Sequence, residues 1–237
     1  MKKILIITII SFLIFFIYLN TIDRKIYFVA MGDAIAKGLN SKDNIDIGYN
    51  NKIKEYLNNK QLLENYIDNY IEINYRTTDL INLINNNEKL DIKGKKITVK
   101  NSLIKADVIT LSIGLNDFIY YLNTNKKNML ENLHVIKKDI EKLLQLIREY
   151  SKEDVILIGI YNPYIEHKNI EEIEEVLNKL NNEIEEICIE LKVEYINIYE
   201  EMKNKKNIEN TSVYPTESGY NMIYEKVKEK LDNPTYQ

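Results

Sequence analysis

The sequence predicts an α/β fold: a three-layer α/β/α sandwich around a five-stranded parallel sheet, preceded by one apolar N-terminal segment. Three observations point there. From Lys25 onward, short apolar runs alternate with longer amphipathic ones. The short runs are continuous and rich in Ile and Val, as strands covered on both faces are. The long runs carry apolar residues at steps of three and four, which is one stripe of a helix. Strand–helix alternation of this kind implies parallel strands, right-handed crossovers and helices on both sides.

Residues 1–24 form the first expected unit, a membrane segment with a short linker. Met1-Lys2-Lys3 precede an apolar run from Ile4 to Leu19, extended by Asn20-Thr21-Ile22. As a helix, Ile4–Ile22 would be about 28 Å long at ~1.5 Å per residue, close to a hydrocarbon core of about 30 Å. No small-x-small cleavage site and no cysteine follows the run. The expectation is an uncleaved signal anchor, with a cleaved signal peptide and a secreted domain as the alternative. Lys2 and Lys3 favour a cytoplasmic N-terminus and an extracytoplasmic domain, although Arg24 and Lys25 lie on the far side.

Residues 25–237 form the second unit, one domain of ordinary size. The candidate strands are Ile26–Met31, Ile71–Tyr75, Val108–Ile113, Val155–Ile160 and Tyr195–Ile198. Candidate helices include Met129–Tyr150, with a stripe of Leu133, Ile136, Ile140, Leu143 and Ile147. Ile170–Leu191 carries a second stripe of Ile173, Leu177, Leu180, Ile184, Ile187 and Leu191. Asn85–Lys96 and Lys203–Asn210 read as exposed loops. Cys188 falls inside the second stripe as a packed core thiol.

Composition excludes several classes. Hydrophobic residues make up 45% and charged residues 29%, a globular balance. A net charge of −4 gives no footprint for nucleic acid. One cysteine permits no intramolecular disulfide. The two histidines, His134 and His167, make no Cys/His set with zinc spacing, so no metal and no cofactor is expected.

Ligands of open parallel sheets sit beyond the carboxyl ends of the strands. Gly32-Asp33-Ala34 follows the first expected strand, Gly114-Leu115-Asn116-Asp117 the third, and Asn162-Pro163 the fourth. A further cluster, Val213-Tyr214-Pro215-Thr216-Glu217-Ser218-Gly219-Tyr220, opens the last helix, with Thr216 as a candidate N-cap. Each glycine alone reads as a turn residue. Asp33 and Asp117 alone read as loop-holding hydrogen-bond acceptors.

In order, spacing and flanks, these clusters resemble the blocks of the SGNH/GDSL hydrolases, from Phe28 to about Leu231. Those blocks read Gly-Asp-Ser, Gly-x-Asn-Asp and Asp-x-x-His-Pro. The resemblance implies the flavodoxin-like SGNH fold and a serine esterase, lipase or acylhydrolase site. It places Ala34 at the serine, Thr211 at the aspartate and Tyr214 at the histidine, ahead of Pro215. Asn116 matches the oxyanion asparagine, and the Ala34 amide remains a donor. Asn74 takes the place of the oxyanion glycine, while Gly32, Asp33, Gly114 and Asp117 support the loops. A methyl group cannot attack a carbonyl, and a phenol with a pKa near ~10 is a poor base at neutral pH.

Three readings stay open. The first is a pseudoenzyme that keeps the cleft and binds an acylated lipid, glycan or protein ligand. The second is an active hydrolase in which Asp33, His167 or Glu209 activates water. The third is a protein-interaction scaffold whose cleft is closed by Tyr214 and neighbouring tyrosines, among the 18 in the chain.

Overall fold

The structure, a computed structural model, describes residues 25–46, 48–92, 94–124, 129–164, 170–209 and 212–236. Its elements in chain order are β1 (Ile26–Gly32), α1 (Ala34–Lys37), α2 (Tyr49–Asn59), β2 (Leu63–Ile71), α3 (Thr77–Asn85), β3 (Lys89–Ile92) and β4 (Lys95–Thr98). They continue with α4 (Val99–Lys105), β5 (Val108–Ser112), α5 (Leu115–Thr124), α6 (Met129–Tyr150) and β6 (Asp154–Ile158). The chain ends on α7 (Ile170–Glu190), β7 (Glu194–Ile196), a 3-10 turn (Glu201–Lys203) and α8 (Glu217–Asp232). Five strands form one parallel sheet in the order β2-β1-β5-β6-β7. On one face α2 packs with α8, and on the other α6 packs with α3 and α7. The α/β/α architecture is as expected.

The central strands are the most apolar because both faces are covered. Phe28, Val29, Ala30 and Met31 of β1 are buried, as are Val108, Ile109 and Leu111 of β5 and Val155–Ile158 of β6. The helix stripes meet this sheet: Ile136, Ile140, Leu143 and Ile147 from α6, and Leu177, Leu180, Ile184 and Cys188 from α7. Burial pushes the Cys188 thiol up to about 12, which makes it an unreactive core group. Polar cross-ties are few and fully buried. Asn50 of α2 donates to the Ala36 carbonyl at 3.0 Å and accepts from Thr110 Oγ1 of β5 at 2.7 Å. Asn181 of α7 donates to the Ile160 carbonyl at 2.7 Å, and its Oδ1 accepts from the Ile160 amide at 3.0 Å.

Two expectations are corrected. The second strand is Leu63–Ile71, not Ile71–Tyr75. It lies at the sheet edge and is half-solvated: only Ile67, Tyr70 and Ile71 are buried, and polar residues interrupt its apolar ones, so no apolar run forms. The stretch expected as a loop over Asn85–Lys96 contains most of the antiparallel hairpin β3–β4, in which Leu90 pairs with Ile97. Its tight turn uses Gly94 at φ +80°, and its lysines kept it from reading as a strand. The remaining strands and the two long helices fall within one or two residues of expectation.

The expected N-terminal membrane segment lies outside the described residues. Among the described residues, no helix is long and apolar enough to cross a membrane.

Candidate functional site

The sheet register aligns the strand ends. Gly32 pairs with both Ile71 and Ser112, Ser112 with Ile158, and Ile158 with Ile196. The carboxyl ends of all five strands therefore share one rim. After β1 the chain moves to β2 on one side, and later returns to β5 on the other. The crevice between β1 and β5 is thus the topological switch point, where ligands of such sheets bind. Gly32-Asp33-Ala34 and Gly114-Leu115-Asn116-Asp117 flank that crevice.

The first loop is built on close approach. Gly32 has φ +137°, and a Cβ there would lie 2.0 Å from the Ser112 carbonyl oxygen. The next amide, that of Asp33, donates to the same carbonyl at 3.0 Å. Only glycine fits a turn pressed this tightly onto the neighbouring strand. Asp33 then caps α1: its Oδ1 accepts from the Ile35 amide at 3.0 Å and from Ser112 Oγ at 3.3 Å. Its Oδ2 is buried without a hydrogen-bond partner. Burial, with a smaller repulsion from Asp117, raises the Asp33 carboxyl to about 7. Ala34 is 2% exposed, and its methyl group offers neither a nucleophile nor a proton.

The second loop is tied to its neighbour through Asn116. The Asn116 amide nitrogen donates to two backbone carbonyls, Ile73 and Tyr75, both at 2.9 Å. Both its hydrogens are spent on tying down the β2–α3 loop, so the side chain is a loop clamp in this conformation. Asp117 complements it by accepting from the Thr77 amide at 2.9 Å and from Thr77 Oγ1 at 2.8 Å, at the start of α3. Burial raises the Asp117 carboxyl, against the Thr77 hydrogen bonds and the Arg76 charge, which lower it. Gly114, at φ +103°, packs against Ile160 and Ile140. Asn74 sits exposed in the turn three residues beyond the end of β2.

At the third cluster, Thr216 is the N-cap of α8, accepting from the Gly219 amide at 3.2 Å. Pro215 is buried ahead of it, bridged to Ile208. Tyr214 is half-buried against the core. Burial, with the charges of Asp43 and Asp33, raises its phenol, the wrong direction for a general base. Thr211 and His167 lie outside the described residues. His134 is exposed on α6, and Glu209 is exposed before the third cluster.

The linear sequence did not bring Tyr49 and Tyr161 together with Tyr220 of the third cluster, which all sense the Asp33 charge. Burial raises the phenols of Tyr49, Tyr161 and Tyr220, and the Asp33 charge adds to each. Tyr161 donates to the Val213 carbonyl at 2.7 Å, and Tyr220 to the Leu39 carbonyl at 2.6 Å. Tyr161 stands three residues past β6 and Tyr220 in the first turn of α8; those positions were the available signal. A cleft of about 130 Å³ opens on this rim between Asn40, Asp46, Lys52, Glu217 and Tyr220. That is below the ~300 Å³ at which pockets for drug-sized ligands begin. Among the described residues, no group of three or more His, Cys, Asp or Glu side chains is placed to hold a metal ion.

A parallel α/β/α sheet with its loops gathered at the β1/β5 switch point defines a doubly wound α/β protein, a class that hosts many activities. The GDSL-like lipase/acylhydrolase family model matches residues 28–227, and the chain belongs to that family. Among solved structures, the lipase Lip_vut3 from goat rumen metagenome is 22% identical with a TM-score of 0.66, over 85% of this chain and 95% of that one. The acetylxylan esterase Axe2 from Geobacillus stearothermophilus is 14% identical with a TM-score of 0.65, over 91% of this chain and 98% of that one. At these identities the likeness concerns the fold. Comparison with curated proteins gave no match.

Proposed function

We propose that this chain is a membrane-anchored, extracytoplasmic member of the GDSL family that has lost its hydrolytic triad and works as a ligand-binding pseudoenzyme. Residues 1–24 serve as the anchor and linker, and 25–237 as the binding domain. The observation that carries the reading is Ala34, a buried methyl group at the position where the family's chemistry needs a hydroxyl. Two further features support it: the Tyr214 phenol is raised and not lowered, and both Asn116 amide hydrogens are engaged by backbone. Without a triad, binding and oxyanion donors supply roughly 10³–10⁴-fold over water, too little for a working esterase. The ligand class is an acylated lipid, glycan or protein, held at the rim between β1 and β5.

One observation favours a second reading, hydrolysis by activated water. Asp33 is buried, with an unpartnered Oδ2 and a carboxyl raised to about 7. Those are properties of a base poised near neutrality. The tyrosines around Asp33 support the third reading, a closed cleft on an interaction scaffold.

The test is reversion. Ala34→Ser, Thr211→Asp and Tyr214→His are introduced together and p-nitrophenyl ester hydrolysis is followed. Gain of activity over an inactive wild type supports a decayed triad. An active wild type whose rate falls on Asp33→Asn, at unchanged folding, supports the water mechanism. Inactivity of both proteins leaves the scaffold reading ahead.

A further inference from the structure

We infer that the amino end of the sheet is a membrane-apposed surface that rests on the phospholipid headgroups of the bilayer holding the anchor, so that the candidate site faces away from that bilayer. This rests on the anchor reading proposed above. The amino ends of the strands gather at the opposite end of the sheet in steps: Ile26 pairs with Leu63 and Val108 with Asp154, while β5 begins opposite Phe28, two residues into β1, and β7 opposite Ile156, two residues into β6. β1 begins at Ile26, only four residues after the apolar stretch Ile4–Ile22. A linker that short spans about 13 Å at most, so this end of the domain is held against the bilayer surface.

The surface there has the composition such a contact needs. Each strand of the large sheet is preceded by an exposed lysine: Lys25 before β1, Lys60 before β2, Lys105 before β5, Lys152 before β6 and Lys192 before β7. Two strongly exposed large aliphatic side chains, Ile104 and Ile189, each at 59%, stand in the last turns of α4 and α7 at this same end. Lysines around projecting apolar side chains suit a headgroup interface, where ammonium groups meet phosphates and aliphatic chains enter the acyl boundary. Glu153, Glu190 and Asp232 are exposed here too. The contact therefore depends on the tether and the two isoleucines, with the lysines adding placement more than net attraction.

The geometry has a functional consequence. β1 has seven residues and crosses the domain from this end to the rim, about 20 Å at ~3.3 Å per residue. Asp33, Ala34 and Asn116 therefore lie at the end of the domain remote from the bilayer. The site would meet ligands of the surrounding medium, such as glycans, soluble acyl esters or proteins, in preference to lipids still embedded in the host membrane.

The experiment uses the full-length chain in phosphatidylcholine/phosphatidylglycerol liposomes containing headgroup-quencher lipid. A fluorophore is placed in turn through Ile104→Cys, Ile189→Cys, Ile45→Cys and Asn74→Cys. The buried Cys188 thiol, held up to about 12, does not compete for label. The inference predicts loss of most emission at positions 104 and 189, with emission kept at 45 and 74. Lys105→Glu, Lys152→Glu and Lys192→Glu combined should weaken the quenching while the protein stays in the membrane fraction. Equal quenching at all four positions, or stronger quenching at 45 and 74, would overturn the surface while leaving the anchor standing. Release of the protein by alkaline carbonate, with no quenching anywhere, would overturn both.

Discussion

Asp33→Asn is the perturbation whose effect can be worked furthest from the structure. The wild-type carboxyl is fully buried and raised from 3.8 to about 7, chiefly because burial disfavours its charged form. In the unfolded chain it titrates at the ordinary value. Between those two pH values the folded protein holds a proton that the unfolded chain has released, so folding stability falls as pH rises. Below about 4 both states are protonated and there is no cost. Above about 7 both are ionised, and the full cost of burying the charge applies. About three pH units at ~1.4 kcal/mol each come to roughly 4 kcal/mol. Asparagine keeps an oxygen for the Ile35 amide but carries no charge, so it removes this dependence while keeping the cap. The assay is urea and thermal denaturation of both proteins from pH 4 to pH 8.5. The mutant is expected to match or trail the wild type near pH 4.5 and to exceed it at pH 8. At ~2–4 °C per kcal/mol for a domain of this size, the crossover amounts to about 10 °C in relative Tm. Parallel curves across the whole range would refute the assigned burial cost.

Three further outcomes follow from the loops and the core. Gly32→Ala drives a Cβ to 2.0 Å from the Ser112 carbonyl at φ +137°, so the protein should lose more than about 3 kcal/mol or fail to accumulate, as read by urea denaturation. Asn116→Ala frees the Ile73 and Tyr75 carbonyls, and should cost about 1–3 kcal/mol and speed hydrogen exchange selectively in residues 72–76. Asn50→Ala leaves Thr110 Oγ1 and the Ala36 carbonyl without their buried partner, and should lower stability by about 2–4 kcal/mol in thermal denaturation.

How much of this was legible in the sequence depended on what each signal measures. β1, β5 and β6 are covered on both faces and are therefore continuous apolar runs, which a one-dimensional reading detects. β2 lies at the edge and the β3–β4 hairpin carries lysines outward. Polar residues interrupt their apolar ones, so neither forms a continuous apolar run. Thr216 was legible because an N-cap is a local event, complete within three residues. The use of Asn116 was not. Its partners are carbonyls more than forty positions away, and which of its hydrogens they take depends on the path of the β2–α3 loop. The tyrosines around Asp33 were hidden for the same reason, since Tyr49, Tyr161 and Tyr220 come from three separate elements. The raised Asp33 carboxyl follows from the burial those elements create together.

The most direct test of the central claim is the hydrolysis of p-nitrophenyl acetate and butyrate by the wild-type protein, with Asn116→Ala beside it as a control. No rate above the control is expected, because Ala34 supplies no nucleophile and the Tyr214 phenol no base. A clear wild-type rate that Asn116→Ala abolishes, in a variant that remains folded at the assay temperature, would mark the site as a living hydrolase.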